Sequence, residues 1–297
     1  MHNHAHSASS RIGWAFFLNV SFTVIEFIGG LLTNSTAIMA DAVHDLGDSL
    51  SIGLAWLLSK LSSKGADGVF TYGYHRFSLF GALTNGFVLI AGSLWVLSEA
   101  IPRLLEPQRP DAAGMFWLAI LGVAVNGYAA YKLSHGNTLN ERVLNLHLLE
   151  DVLGWVAVLV VSVTLMFFDW PILDPLLSIA FTLFILVNVV RNIVAAGALL
   201  MQATPDRALH QRVVDEFLAL EHVDEAHHVH IWSLDGEHHV LTAHLRLTDC
   251  LDTAQQIAVK DAIGERLDEL DFVHTTIEFE FPEEACRDSR LKTPGAQ

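Results

Sequence analysis

Cysteine, positive charge and charge of any kind are scarce in this 297-residue chain, and each shortage excludes something. The only cysteines are Cys250 and Cys286. Two thiols so far along a chain of this length make no disulfide framework, and their spacing matches no zinc-finger pattern. Charged residues are 17% of the total against 52% hydrophobic, and the mean hydropathy is +0.40. That balance is too apolar for an ordinary water-soluble domain of this length and points to a membrane protein. Basic residues number 17 against 33 acidic ones, which disfavours nucleic acid as a partner and favours cations. No G-x-x-x-x-G-K-[S/T] phosphate loop is present to drive work with ATP, and no H-E-x-x-H helix is present to build a zinc peptidase. A cleaved signal peptide is not expected either. The first residues are His-rich, and the first apolar stretch is too long for an h-region, so it reads as a retained span.

What the chain does have is long apolar runs. Six can cross a hydrocarbon core, which takes about 20 helical residues. They lie near Ile12–Leu32, Ala37–Leu61, Leu79–Ile101, Gly114–Leu133, Leu144–Phe168 and Pro171–Met201. Arg11, Lys60, Lys64, Arg76, Lys132 and Arg142 flank one set of helix ends, whereas Arg103 and Arg109 flank the other. By the positive-inside rule both termini face the cytosol. The expected organisation is a cytosolic N-terminal tail (1–11), a six-helix transmembrane domain (12–203), a cytosolic domain (204–285) and a disordered tail (286–297). The region from 204 onward carries eight basic and twenty acidic residues, hence twelve of the sixteen net negative charges. Its hydrophobic spacing predicts a helix over 206–220, strands over 226–233 and 238–247 separated by a turn at Leu234–Glu237, a helix over 252–270, and a strand in HTTIEFEF. The order α-β-β-α-β describes a small, ferredoxin-like α+β unit.

The second and fifth spans each contain H-x-x-x-D: His44 with Asp48, and His147 with Asp151. On a helix, positions i and i+4 share a face about 6 Å apart along the axis. Two such helices side by side supply two imidazoles and two carboxylates, the donor set of a closed tetrahedral zinc site, and the two carboxylates neutralise one divalent ion. An ionised Asp at a membrane helix centre costs roughly 2.5–3.5 kcal/mol, so two of them, each with His at the same offset, are not expected as packing accidents. Imidazole must be neutral and carboxylate ionised to ligate, so binding releases protons and protonation expels metal.

At these residues the chain resembles the cation diffusion facilitator family of zinc, cobalt and cadmium efflux proteins. The resemblance rests on NSTAIMADAVHDLGDS, FTYGYHRFSLFGAL, NERVLNLHLLEDVLGW, LDPLLSIAFTLFILV and HHVHIWSLDGEHHVLTAHL, and covers roughly residues 12–283. It implies a homodimer in the lipid bilayer, of a bacterial plasma membrane, that exchanges Zn²⁺ for protons. The transport site then falls on His44, Asp48, His147 and Asp151, with His44 favouring zinc and tolerating cobalt.

Further metal positions are suggested with less support. The resemblance places His75, with Asp67 in the same loop, at a position that binds a second metal; a solvated loop histidine is the alternative. Nine histidines lie beyond residue 204. The resemblance maps cytosolic ligands onto His227, His244, Glu278 and Glu280, whereas strand alternation puts His230, rather than His227, on the face of His244. Both remain open at this point. His with carboxylate on one face suits Zn²⁺ as a regulatory ligand. Two other function classes compete: an intramembrane metalloenzyme, which needs an open metal position and a general base, and a metal-responsive scaffold that does not transport.

Overall fold

The computed structural model describes residues 3–62, 64–133 and 139–288, and the side chains of 17, 19–54, 57–58, 61, 64–131 and 148–288. The start of the His-rich segment, the side chains of the rest of it, and residues 289–297 of the expected tail lie outside these. The chain forms two compact units: residues 1–60 with 80–194, and residues 61–79 with 195–297.

The first unit is all helical. It contains α1 (Asn3–Thr33), α2 (Thr36–Ser62), α3 (Phe77–Leu105), α4 (Ala112–Leu133), α5 (Leu139–Phe167) and most of α6 (Leu173–Leu200). The α1 helix begins at Asn3, earlier than the expected Ile12, because nothing in HAHSASS stops it: there is no proline, and serine and alanine both tolerate helix. Six spans were expected; among the described residues, four helices are long and apolar enough to cross a membrane: Phe77–Leu105, Ala112–Tyr131, Leu148–Phe167 and Leu173–Leu200. In α1 the described apolar stretch is the shorter Asn19–Thr33. In α2 the acids Asp41, Asp45 and Asp48 crowd two turns of one helix.

Small residues set the close approaches. A Cβ on Gly122 of α4 would meet the Trp155 ring of α5 at 2.1 Å, and one on Gly92 of α3 would meet Val43 of α2 at 2.6 Å. The Trp155 ring and Phe22 pack edge to face with centroids 5.9 Å apart. The α1–α2 turn is two residues long because Asn34 adopts the left-handed region (φ 54°), which asparagine tolerates. Arg103 donates to its carbonyl at 2.8 Å. Polar side chains also join helices: Asn19 donates to Ser49 at 3.0 Å and Asn85 to Ser51 at 2.6 Å, as interhelical hydrogen bonds do within a membrane bundle.

The second unit contains α7 (Arg207–Leu218), β1 (Val223–Ser233), β2 (His239–Leu247), α8 (Thr253–Leu267), a 3₁₀ turn (Asp268–Leu270) and β3 (Phe272–Glu280). The predicted order is the observed one. Both helices start at side-chain caps: Asp206 accepts from Ala208, and Asp252 with Gln255 forms a reciprocal capping box. The sheet order is β1-β2-β3, with β1 antiparallel to β2 and β2 parallel to β3 across the α8 connection. Leu241, Ala243 and Leu245 face a core with Val213 and Phe217 of α7 and Val259 and Ile263 of α8, all buried.

Strict alternation fails in β1. The register slips between His227, opposite His244, and His230, opposite Thr242. His228, inside this bulge, has φ 47°. One extra residue shifts every side chain before it to the other face, so His227, not only His230, comes to the face of His244. The segment joining α2 to α3 belongs to this unit. Asp67 accepts from the N–H groups of Val69 and Phe70 at 2.8 and 2.7 Å and from the Tyr74 hydroxyl at 2.6 Å. Tyr72 packs edge-on against Trp232 and His274.

Candidate metal centres

Within the helical unit, His44 and Asp48 occupy successive turns of α2, and Asp151 approaches from α5. His44 Nε2 lies 3.6 Å from Asp48 Oδ2 and 3.7 Å from Asp151 Oδ1. Tetrahedral ligands about 2.0–2.1 Å from zinc stand roughly 3.3 Å apart, so a contraction of a few tenths of an ångström closes this set on an ion. Three of the four expected ligands are therefore together. The fourth, His147, precedes Asp151 by one turn of α5, and its side chain lies outside the described residues.

These groups open on a cavity of about 380 Å³ that Asp41, Ser51, Asn85 and Glu150 also line. Asp41 is buried, and its Oδ2 has no hydrogen-bond partner among the described residues. Glu26 of α1 is buried beside Asp45. Acids thus gather on the α1–α2 side of the site. Asp174 has a different role. It receives Ser35 Oγ at 2.5 Å, Thr36 N at 2.7 Å and Thr36 Oγ1 at 2.8 Å. A carboxylate on α6 therefore caps the N-terminus of α2, where free N–H groups and the helix dipole favour negative charge.

A second cluster lies on the sheet face away from the α7–α8 core. Glu280 lies between two histidines: its Oε1 accepts from His244 Nδ1 at 2.7 Å, and its Oε2 is 3.0 Å from His227 Nε2 in an ion-pair contact. Cys286 Sγ is 3.6 Å from His244 Nδ1, close to the nitrogen–sulfur separation around a zinc with 2.0 and 2.3 Å bonds. Burial works against the Glu280 carboxylate, but the Cys286 thiol and the His244 and His227 rings hold its pKa below the usual carboxylate range. Burial and Glu280 together push the Cys286 thiol up, so a metal arriving here displaces a thiol proton. Glu278, expected beside Glu280, pairs with Arg287 at 2.6 Å and lies 3.8 Å from His244 Nε2. His230 sits with His228 and His244 in the adjoining pocket; burial, then the neighbouring imidazoles, lower its pKa and keep it neutral.

The sequence reading did not find Cys286. It falls where a disordered tail was expected to begin, yet residues 286–288 lie on the sheet, with Asp288 3.6 Å from His244 Nε2. The available signal was a thiol six residues beyond a strand that ends in a buried glutamate. In the α2–α3 segment, Asp67 does not join His75. Its oxygens hold the loop backbone and Tyr74, and Lys64 at 3.5 Å, while His75 turns to Asp235 at 3.3 Å.

Comparisons with known proteins agree on both units. A family model for the cation efflux transmembrane domain matches residues 14–201, and one for the cytoplasmic domain of cation efflux proteins matches residues 205–281. The chain is 32% identical to the "Cadmium, cobalt and zinc/H(+)-K(+) antiporter" of Bacillus subtilis, over 94% of this chain and 91% of that protein. It is 31% identical to the zinc transporter ZitB of Pectobacterium atrosepticum, over 93% and 86%. It is 28% identical to the metal cation efflux system protein CzcD of Cupriavidus metallidurans, over 94% and 89%.

Proposed function

The chain belongs to the cation diffusion facilitator family, and on that premise we propose that it exports Zn²⁺ from the cytosol in exchange for protons. Co²⁺ and Cd²⁺ are further candidate substrates, since relatives are named for them. The transport site consists of His44, Asp48, His147 and Asp151. One observation carries the reading: an imidazole and two carboxylates from helices far apart in sequence meet within 3.7 Å beside a single cavity. All six helices α1–α6 cross the plasma membrane, leaving both termini in the cytosol. The acids of α2 cost less there than hydropathy suggests, because they face the bundle and its cavity rather than lipid.

The mechanism follows from charge. A divalent ion neutralises Asp48 and Asp151, so the loaded site carries no net charge through the bilayer interior. After access switches to the proton-rich side, protons compete for the imidazole and carboxylate lone pairs that hold the ion. Protonated and metal-loaded forms are then the two neutral states that can reorient, which couples the fluxes. Family membership places the chain with transporters rather than enzymes. The C-terminal domain pairs two copies into a homodimer and senses cytosolic zinc through His227, His244 and Glu280, with His230 and Glu278 alongside.

The test is Zn²⁺ uptake into proteoliposomes with and without an imposed pH gradient. Uptake against a zinc gradient that collapses with the pH gradient, and is lost in Asp151→Asn, bears the reading out. Zinc binding with no flux under any gradient would instead make the chain a metal-responsive scaffold.

A further inference from the structure

Three buried acids beside the transport ligands take no part in holding the ion: Glu26 of α1, and Asp41 and Asp45 of α2. Glu26 is the most enclosed of them at 1% exposure, and neither of its oxygens meets a donor among the described residues. What lies within hydrogen-bonding reach is another carboxyl, that of Asp45. Two carboxyl groups bond to each other only when one of them carries a proton, because an ionised carboxylate only accepts. The surroundings agree. The charged groups that face Glu26 are Asp45 and Asp41 of α2 and Asp151 of α5, all of them acidic. From the α4 side, Met115 and Ala119 pack with Phe22 of α1, and Ala112–Tyr131 contains no acidic or basic residue. An ionisable side chain inside a membrane bundle without a counter-ion is expensive, and proton relays are among the uses that retain one.

We propose that Glu26 carries one of the exchanged protons: it is protonated and donates to Asp45 in the metal-free protein, and it gives that proton up when a divalent ion occupies the transport site. The inference rests on the site assignment and the proton exchange argued above. In the step, the Glu26 O–H bond breaks, the carboxylate keeps the electron pair, and the proton leaves through the cavity by way of Asp41. Asp41 is suited to pass it on, since it faces Glu26, lines the cavity and has an Oδ2 with no donor among the described residues. Asp151 supplies the coupling. As a bare carboxylate it repels charge on Glu26; with a divalent ion on it, the same position attracts that charge, and the low dielectric of the bundle strengthens the change. Linkage makes the step reversible, so a proton released as metal binds is taken up as metal leaves. The ion alone balances the charge of its four ligands, and the Glu26 proton therefore adds a net charge to each turn of the cycle.

Proton release on zinc binding tests this without any need for flux. It is measured on the purified full chain in detergent, by calorimetry in buffers of different ionisation heat. Glu26→Gln keeps the shape and the neutrality of the protonated side chain. The variant is expected to bind as many Zn²⁺ ions per chain as the unaltered protein and to release one proton fewer at saturation. Protons released at the sheet-face cluster are common to both proteins and cancel in the difference. Infrared difference spectra of the unaltered chain should lose the C=O stretch of a protonated carboxyl when Zn²⁺ is added, and Glu26→Gln should lack that loss. An equal proton count in the two proteins, fewer zinc ions bound by Glu26→Gln, or a carboxyl band that zinc leaves in place overturns the proposal. A chain that releases this proton yet shows no zinc flux in proteoliposomes upholds Glu26 and defeats the exporter reading instead.

Discussion

At the level of single residues, the approach of His44 to Asp48 was legible because its signal is local: a helix puts i and i+4 on one face whatever surrounds it. Asp48→Asn and Asp151→Asn each remove one of two neutralising charges, and zinc flux in proteoliposomes is expected to fall to background while the protein still elutes as a folded species. His44→Asp gives the site three carboxylates, which favours a larger ion. The Cd²⁺-to-Zn²⁺ flux ratio should rise, and an unchanged ratio would place selectivity elsewhere. Cys286 and His227 were harder to read. His227 reaches His244 only because the β1 bulge shifts strand parity, and no residue type between 223 and 233 announces that slip. Cys286 arrives by a fold-back of chain after β3, and its partners are 6 and 42 residues away. Cys286→Ser exchanges a soft sulfur ligand for a weak oxygen one. Zinc titrations of the full chain in an Asp48→Asn background should show weaker binding at the sheet-face cluster, with Cd²⁺ losing more than Zn²⁺.

Between residue and domain, the helices and loops show where hydropathy alone misleads. The α2 helix is a poor membrane span by composition because its acids serve the cavity, and α4 tolerates Gly122 because Trp155 needs that space. Gly122→Leu forces a side chain into the indole and should destabilise the bundle by about 1–3 kcal/mol, read as a lower unfolding temperature in detergent with the C-terminal domain unaffected. The α2–α3 segment is pinned differently. The Phe70 N–H, the Tyr74 hydroxyl and the Val69 N–H hold the Asp67 carboxyl well below the usual carboxylate range. A folded pKa below the unfolded one, about 3.9, makes this contribution full above that value, and it is lost only as pH falls through the depressed folded value. Protease sensitivity of residues 64–76 should therefore be the same at pH 7 and about pH 5, and Asp67→Ala should raise it at both.

For the whole molecule, composition separated the apolar region from the acidic one, and period-2 and period-3.6 patterns gave the α-β-β-α-β order. What sequence could not assign was the α2–α3 segment, which groups with the C-terminal unit through rings such as Tyr72 and Trp232 that lie 160 positions apart. If the cytosolic domains pair the protein, light scattering of the full chain in detergent should report two copies per particle; a monomer that still carries zinc would divorce transport from pairing. The Asp174 cap has a mechanical corollary for any such particle. With the first N–H groups of α2 seated on a carboxylate of α6, the helix bearing His44 and Asp48 cannot slide or tilt by itself without breaking several buried hydrogen bonds. The ends of α2 and α6 that meet at Asp174 must travel as one lever, and whatever motion turns the ion from one side of the membrane to the other has to carry both.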